Sequence, residues 1–386
     1  MNPPREAVPR GGDPHGAVPH GAVPHGGDPR GSNPRHATQH VLQRCREFGF
    51  AAAGVCSTRP SDHAPAFHSW LEHGKHGAME YMAQDVPQRL DPALLVPGAR
   101  AAICVADRYA DGRPDARVPG RGRIARYARG EDYHVVIRAR LEALAEELRR
   151  AHPEHRFRVC VDTAPVLERE LAERAGLGRV GKHTLLIGHH GQGSWLLLGV
   201  IVTTLELHAE DHAHQDPCAQ CTRCVDACPT QAIQPWSVDG SRCISYLTIE
   251  HPGAADPQLA ASTRDWIFGC DICQEVCPHN QPTRRSKRAA VHPAYQAHRT
   301  GFDLLDVLGW TQEQWEAAQL NGVLRRATHA MWVRNAAWAA GHALGQEGTL
   351  ALPPEQAAAL RARLRALAED SAQPLEVRQA ARNAVE

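Results

Sequence analysis

The feature that most constrains this chain is the stretch from residue 218 to 278, which holds eight of its twelve cysteines. It opens with the spacing C-x2-C-x2-C-x3-C-P and closes with C-x2-C-x3-C-P, and one lone cysteine lies between. Such short spacings let thiolates from one turn converge on a single cube of iron and sulfide, and each proline stops the helix that would carry the last thiolate away. The eight residues are Cys218, Cys221, Cys224, Cys228, Cys243, Cys270, Cys273 and Cys277.

Two complete sets of four ligands predict two [4Fe–4S] clusters in this stretch. In a ferredoxin-type run the fourth cysteine serves the other cluster. This rule groups Cys218, Cys221 and Cys224 with Cys277, and it groups Cys228 with Cys243, Cys270 and Cys273. The alternatives are a pair of zinc sites or a disulfide framework. Zinc, however, needs only C-x2-C pairs and requires neither the third cysteine nor the C-P ending.

Length and charge limit the class of protein. The chain has 386 residues and a formal net charge of zero, which suits two or three domains and excludes a uniformly basic nucleic-acid binder. The four cysteines outside the stretch have apolar neighbours, which indicates a reducing cytosol. No apolar run approaches the roughly 20 residues that span a bilayer, and the N-terminus lacks the apolar centre of a secretory signal. We therefore expect a cytoplasmic protein without a membrane segment.

Composition divides the chain into four parts. Residues 1–35 repeat units rich in proline, glycine and histidine, which cannot bury a core and predict a disordered tail. Strands and helices alternate over 36–207, which predicts an α/β (α+β) domain. The cysteines mark 208–282 as a ferredoxin-like two-cluster domain. Residues 283–386 are helical and alanine-rich, and a repeated Val-Arg-x-Ala-Ala motif at Val333 and Val377 falls within the ~40–47-residue period of HEAT-type repeats.

Apolar periodicity predicts the individual elements. The predicted helices are 37–48, 70–82 with glycine interruptions, 132–150 and 162–176, and the predicted strands are 50–56, 101–105, 157–161, 184–187 and 194–203. The apolar side of the third helix is predicted to hold Val135, Val136, Leu141, Leu144 and Leu148. After Pro278 a basic cluster follows, consisting of Arg284, Arg285, Lys287, Arg288 and Arg299.

Asp162 is the most informative acid, because it lies where a predicted strand meets a predicted helix, a usual place for a ligand-facing side chain. The alternative is that Asp162 simply caps that helix. Lys182 and His183 lie in a glycine-bounded loop that could hold an anion or the edge of a cofactor, or could be an exposed turn. Glu168 and Arg169 are expected on the solvated face of the helix. The sequence contains no strand–G-x-G-x-x-G–helix pattern and no Walker loop, so a nicotinamide or P-loop site is not indicated.

Several blocks together resemble the epoxyqueuosine reductase family, over a span from about residue 37 to the C-terminus. Besides the first cysteine run, these blocks are Tyr127–His134, Asp162–Arg169, Gly176–Leu185, Arg242–Glu250 and Gly269–Pro278. The chain departs from the family at two points. Family members usually have tryptophan at the positions of Arg179, before the Lys-His pair, and of His279, after the last cysteine.

The resemblance implies an oxidoreductase that uses cobalamin and two [4Fe–4S] clusters to reduce epoxyqueuosine in tRNA to queuosine at the wobble position, the final step of queuosine biosynthesis. It also implies a cobalamin domain related to that of the reductive dehalogenases. The general acid of the family maps onto Asp162, beside the cofactor, where it would need a pKa raised by burial. Further positions that match the family near cofactor or substrate are Arg89, Tyr127, Lys182, His183 and Ser245.

The expected partners are the anticodon stem-loop of tRNA, lying across the basic cluster and the C-terminal helices, and an external electron donor such as flavodoxin or ferredoxin. We expect a monomer. One alternative is a corrinoid iron–sulfur reductase of a small molecule, such as a dehalogenase, although a small substrate would not need the basic helical region. The other is an electron carrier or cluster-stabilised RNA-binding protein, against which the long α/β region argues.

Overall fold

The computed structural model describes residues 33–210, 215–281, 288–319 and 322–386. The predictions for the tail up to residue 32, and for Arg284, Arg285 and Lys287, lie outside the described residues. Residues 34–386 form one compact unit. In the part of the chain that the structure describes, no helix is long and apolar enough to cross a membrane.

The described residues contain fifteen α-helices and eleven β-strands. The helices are α1 Pro34–Glu47, α2 Ala64–Glu72, α3 Val86–Leu90, α4 Pro92–Leu95, α5 Tyr133–Ala151, α6 Glu168–Arg174, α7 Arg223–Ala227, α8 Ile244–Ile249, α9 Pro257–Ser262, α10 Ile272–Glu275, α11 Leu304–Gly309, α12 Gln312–Ala318, α13 His329–Leu344, α14 Pro354–Glu369 and α15 Leu375–Asn383. The strands are β1 Ala52–Ser57, β2 Ala101–Arg108, β3 Arg121–Ile124, β4 Phe157–Cys160, β5 Gly178–Val180, β6 Leu186–Gly188, β7 Leu196–Thr203, β8 Ile233–Gln234, β9 Ser237–Val238, β10 Trp266–Phe268 and β11 Gly301–Asp303.

A four-stranded sheet in the order β1-β2-β7-β4 forms the centre of the N-terminal region. Every neighbouring pair is antiparallel, so this region is of the α+β type. Strand β2 is buried along its whole length. Because side chains alternate across a strand, Ile103 and Val105 face the core shared with α1 and α5, and Cys104 faces the core shared with α6. The predicted fold class is confirmed.

Helix α5 covers one face of this sheet. Ile137, Leu141, Leu144 and Leu148 recur at helical spacing and are buried, which places one apolar stripe against the strands. The prediction was wrong for Val135, which is 65% exposed. Val135 lies in the first turn of the helix, outside the apolar stripe that begins at Ile137.

Two predicted helices are shorter than expected. The helix predicted over 70–82 ends at Glu72, because Gly74 and Gly77 adopt positive φ and turn the chain. The helix predicted from residue 162 begins only at Glu168. Asp162 has a φ of +57°, which is incompatible with a right-handed helix, and a tight turn bonds the Thr163 amide to the Val161 carbonyl at 2.6 Å.

The C-terminal helices pack onto a second sheet, in the order β10-β3-β11. One continuous core joins this sheet to α13, α14 and α15. Trp332, fully buried, stacks on Phe268 of β10 with ring centroids 5.4 Å apart. Val333 and Val377, the equivalent residues of the predicted repeat, both lie in this core.

Candidate functional site

The loop that carries the first cysteines lies against the Lys182 loop. The Lys182 ammonium donates hydrogen bonds to the carbonyl oxygens of Ala219, at 2.7 Å, and Cys221, at 3.1 Å. The Lys182 backbone amide lies 3.4 Å from Sγ of Cys218. Lys182 is 7% exposed, so this lysine is part of the support of a cluster-binding loop and not an exposed turn.

The cysteine thiols of the two blocks influence one another's pKa. Burial raises the pKa of Cys277 to about 11, and the nearby thiols of Cys218 and Cys224 raise it further. Burial also raises the pKa of Cys243 and of Cys270. The Cys228 thiol raises the pKa of Cys243 further, and the thiols of Cys273 and Cys243 raise that of Cys270 further.

Burial raises the pKa of Cys273, and the thiols of Cys243, Cys224 and Cys228 raise it further. These effects cross the two sets, so the grouping by the split-ligand rule stays a prediction. All twelve cysteines lie in the described part of the chain and all are free thiols. The alternative of a disulfide framework is therefore wrong.

Asp162 leaves the end of β4 on a strained turn. Its side chain is 57% exposed, and α6 begins six residues later with Leu167 at the N-cap, so the interpretation of Asp162 as a helix cap is wrong. Burial works to raise the pKa of Asp162, but the hydrogen bond and charge of His134 outweigh burial and hold this pKa below its ordinary value. The Asp162 carboxylate is therefore accessible to solvent although protein atoms surround it, as expected in a concave part of the surface.

The acid–base group next to Asp162 is His134, in the first turn of α5. Its Nε2 lies 3.1 Å from Oδ2 of Asp162, and its Nδ1 lies 2.8 Å from Oδ1 of Asp132, the N-cap of the helix. Tyr133 stacks on the imidazole at 4.0 Å between ring centroids. Burial would lower the pKa of His134, but the two carboxylates prevail and raise it to about 9.

The expectation that Asp162 itself would have a raised pKa is therefore wrong for this arrangement. At neutral pH the proton resides on His134 and Asp162 is ionised. Sequence reasoning assigned no role to Asp132 or His134, although both lie in the quoted block Tyr127–His134. The available signal was an aspartate at a helix N-cap followed two residues later by a histidine.

Arg169 is exposed as predicted, but Glu168 does not lie on a solvated helix face. Oε1 of Glu168 is buried without a hydrogen-bond partner among the described residues, and burial raises the pKa of Glu168 to about 8. Arg169 donates a hydrogen bond to the carbonyl of Thr184, next to His183. The reason is the late start of α6, which turns its first residues toward the Asp162 turn and the Lys182 loop.

The other predicted cofactor residues have the following surroundings. His183 accepts a hydrogen bond from the Leu185 amide at Nδ1, its Nε2 is buried without a partner among the described residues, and burial lowers its pKa to about 4. Burial and then the charge of Asp162 raise the pKa of Tyr127. Arg89 has a buried Nε that lacks a partner in the described part of the chain. Ser245 lies in the first turn of α8, two residues after Cys243.

The two family tryptophan positions carry polar contacts in this chain. Arg179 forms an ion pair with Glu173 of α6. His279 contacts the carbonyl of Pro217 through Nε2 at 2.8 Å, which joins the end of the second cysteine block to the start of the first.

The described part of the basic cluster is only partly available to a ligand. Arg288 donates to the carbonyls of Gly191, His279 and Asn280, so it supports the surrounding loops. Arg299 is exposed and lies over the ring of Phe302 at 5.1 Å.

Comparison with known proteins identifies the family. A family model described as epoxyqueuosine reductase QueG, DUF1730, matches residues 89–163. An epoxyqueuosine reductase of Xanthomonas campestris is 39% identical over 327 residues, covering 82% of this chain and 89% of the relative. The chain belongs to the epoxyqueuosine reductase family. A second epoxyqueuosine reductase, from Pseudomonas aeruginosa, is 37% identical over 77% of this chain and 83% of its own length.

Solved structures of epoxyqueuosine reductases share the fold. One, in complex with an epoxyqueuosine-modified tRNA stem loop, superposes with a TM-score of 0.78 at 26% identity, covering 92% of this chain and 90% of the other. Another, from Bacillus subtilis, gives a TM-score of 0.76 at 25% identity, with coverage of 90% and 89%.

A second family model, a 4Fe-4S double cluster binding domain, matches residues 217–280. This range contains all eight cysteines, so the prediction of two [4Fe–4S] clusters is confirmed and the zinc alternative is not supported. Family membership confirms the resemblance stated from the sequence. The same relatives do not favour the small-molecule alternative or the electron-carrier alternative.

Proposed function

We propose that this chain reduces epoxyqueuosine to queuosine at the wobble position of tRNA, using cobalamin and two [4Fe–4S] clusters. The observation that carries this proposal is the chain of contacts from Asp132 through His134 to Asp162. All three residues lie in the segment that matches the epoxyqueuosine reductase model. They provide a proton source beside the predicted cofactor residues.

The reaction converts an epoxide to an alkene, which releases the oxygen as water and consumes two electrons and two protons. When bound, the clusters and cobalamin supply the electrons. His134 holds a proton at neutral pH because its pKa is about 9. Nε2 of His134 can pass this proton to the Asp162 carboxylate 3.1 Å away, and Asp162 can then deliver it to the departing oxygen. Asp132 fixes the orientation of the imidazole.

Several buried polar atoms fit a large polar cofactor. Nε of Arg89, Nε2 of His183 and Oε1 of Glu168 lack hydrogen-bond partners among the described residues, whereas buried polar atoms usually have one. The amide groups of cobalamin offer both donors and acceptors. We propose that Arg89, Tyr127, His183 and Ser245 contact cobalamin. The Lys182 side chain acts through the cluster loop that it holds, and its backbone loop borders the cofactor.

We further propose that the eight cysteines hold the clusters in the two sets given by the split-ligand rule. The C-terminal helices and exposed arginines such as Arg299 contact the phosphates of the anticodon stem-loop. A flavodoxin or ferredoxin delivers the electrons, and the protein acts as a cytoplasmic monomer. The division at residues 207 and 282 remains our prediction for the extent of the three folded parts.

The test uses the full chain, purified anaerobically and reconstituted with iron, sulfide and cobalamin. A cobalamin absorption band that co-elutes with the protein is expected. The protein, a chemical reductant and tRNA carrying epoxyqueuosine are then incubated, and the nucleosides are separated after digestion. Conversion to queuosine is the expected result. Unchanged epoxyqueuosine in the presence of fully reduced protein would refute the proposed activity.

Asp162→Ala tests the assigned acid. Turnover should fall by at least about 10²-fold, while cluster and cobalamin absorption stay as in the wild type. Glu206→Ala, which removes an exposed carboxylate after β7 that no proposed contact uses, is the control and should turn over normally. Undiminished turnover of Asp162→Ala would remove Asp162 from the reaction.

A further inference from the structure

An exposed aromatic ring and an arginine meet in the region of Asp162. Tyr81, in a 3₁₀ turn after α2, is 40% exposed, which is unusual for a large aromatic side chain in this chain. The guanidinium carbon of Arg326 lies 5.1 Å from the centroid of the Tyr81 ring. Arg326 ends a 3₁₀ turn just before α13. The pair therefore joins the N-terminal α+β region to the C-terminal helices.

Glu250, which follows α8, fixes the arginine of this pair. Nε and Nη2 of Arg326 donate to the two carboxylate oxygens of Glu250 at 2.9 and 3.0 Å. This bidentate contact sets the plane of the guanidinium and commits two of its five donors. The Arg326 side chain is nevertheless 50% exposed. The tyrosine is also anchored, because Arg89 donates to the Tyr81 carbonyl at 3.2 Å.

Both residues of the platform formed by Tyr81 and Arg326 are within reach of the charge of Asp162. The charge of Arg326 adds to that of His134 in holding the pKa of Asp162 low against the opposing effect of burial. Burial raises the pKa of Tyr81, and the charges of Glu250 and Asp162 raise it further. Such charge effects are screened over about 8–10 Å at ordinary salt, so both side chains lie in the same region of the protein as the exposed Asp162 carboxylate.

The geometry suits the recognition of an unstacked base. An enzyme that acts on a nucleoside inside RNA must take the base out of its stack to reach it. Single-stranded bases are held by stacking on aromatic rings and on the planes of arginine guanidinium groups. Tyr81 and Arg326 offer both kinds of surface, and the arginine adds a positive charge that favours RNA.

We propose that Tyr81 and Arg326 form a stacking platform for the base of the modified nucleoside, which directs its epoxide-bearing side chain toward Asp162. This inference rests on the proposed function, because it assigns a substrate contact to the same site. Glu250 is a positioning residue that holds the platform through Arg326. The occupant is one unstacked nucleobase of a purine-like ring system, and neither residue is required for binding the clusters.

The first measurement is the affinity of the cofactor-loaded protein for an epoxyqueuosine-containing stem-loop, by fluorescence anisotropy at fixed salt. Tyr81→Ala should weaken binding by about 5- to 160-fold, the effect of one lost stacking contact. Tyr81→Phe keeps the ring and should stay within about 2-fold. Arg326→Lys keeps the charge but loses the planar fork, and should bind more weakly than wild type.

Arg44→Lys is the matched control, because Arg44 lies over the Phe48 ring at 5.2 Å on the remote helix α1. It should bind like the wild type. Cluster and cobalamin spectra and thermal melting are compared for every variant, so that loss of fold or cofactor is detected. Wild-type affinity of a folded Tyr81→Ala protein would overturn the proposal.

A stem-loop with an abasic site in place of the modified nucleoside identifies the occupant. If Tyr81 stacks on that base, Tyr81→Ala should not weaken the binding of the abasic RNA any further, as in a double-mutant cycle. If Tyr81→Ala weakens the binding of the abasic RNA as much as that of the modified RNA, Tyr81 contacts a flanking base instead and the proposal is wrong. Turnover by the wild type tests the proposed function separately, because these binding results do not depend on catalysis.

Discussion

Replacing His134 by glutamine should restrict the pH range in which the site can donate a proton to acidic values. In the wild type His134 carries a proton up to a pH of about 9, so single-turnover reduction should stay high through neutral pH and decline above about 9. Glutamine can still hydrogen-bond to Asp162 but carries no transferable proton. Asp162 must then take its proton directly from water.

The expected loss follows from the fraction of enzyme that holds a proton at the site. With a pKa of about 9, nearly every wild-type molecule holds it on His134 at pH 7. An ordinary aspartic acid, with a pKa of about 3.9, is protonated in only about one molecule in 10³ at that pH. Burial of Asp162 opposes its ionisation once the His134 charge is gone. A loss of about 10²- to 10³-fold is therefore expected, within the range known for general acid catalysis.

The assay follows a single turnover by protein reduced in advance, between pH 5 and 10, so that electron supply does not limit the rate. His134→Gln should decline from the acidic end of this range with a slope near −1 in a plot of log rate against pH. His152→Gln, at the opposite end of α5, is the control and should keep the wild-type profile. An unchanged rate and an unchanged alkaline decline in His134→Gln would refute the role assigned to His134.

Three further results are expected. The raised pKa of His134 stabilises the fold fully below its unfolded value of about 6.5 and ceases to do so as the pH rises through about 9. The unfolding free energies of wild type and His134→Gln, measured in urea, should therefore converge between pH 6 and 10. Cys243→Ser should bind about four irons per chain instead of about eight, by iron analysis. Trp332→Ala, at a fully buried position, should lose about 3–5 kcal/mol of stability in urea, whereas Leu375→Ala, 66% exposed, should lose less than about 0.5 kcal/mol.

The sequence was most informative where the signal is local. The cysteine blocks show the spacing of the predicted cluster ligands directly. The apolar stripe from Ile137 to Leu148 follows from helical periodicity. The family resemblance could also be read from short blocks. Each of these signals depends on residues close together in the chain, so no knowledge of the tertiary fold was needed to interpret them.

The sequence was least informative where the decisive contact joins distant residues. His134 and Asp162 are separated by 28 positions, and nothing local marks them as partners. The positive φ of Asp162 comes from the turn between β4 and α6, although the residues themselves are good helix formers or caps. The burial of Glu168 follows from that turn. Helical periodicity alone predicts that a charged residue at such a position faces solvent. Only the tertiary structure shows that a neighbouring loop covers it.

The C-terminal helices also support the cluster ligands, beyond any contact with RNA. Arg334 of α13 is fully buried, and burial lowers its pKa to about 10. It donates to the carbonyls of Leu247, His251 and Gly253, and the end of α8 provides suitable acceptors because the last carbonyls of a helix lack partners. Asn335 donates to carbonyls at Thr248 and Ile267.

These contacts fix two of the three segments that carry the ligands of the second predicted cluster. Helix α8 begins immediately after Cys243, and β10 ends two residues before Cys270. Glu250, which orients Arg326, lies at the end of the same helix. Electron transfer needs a constant distance between cofactors, and substrate positioning needs a constant distance to the reacting group. The buried Arg334 contributes to both, because it holds the end of α8. The cysteine stretch is therefore held from two sides, by Lys182 on the first block and by Arg334 and Asn335 on the second, so the predicted boundary at residue 282 separates parts of one continuous core.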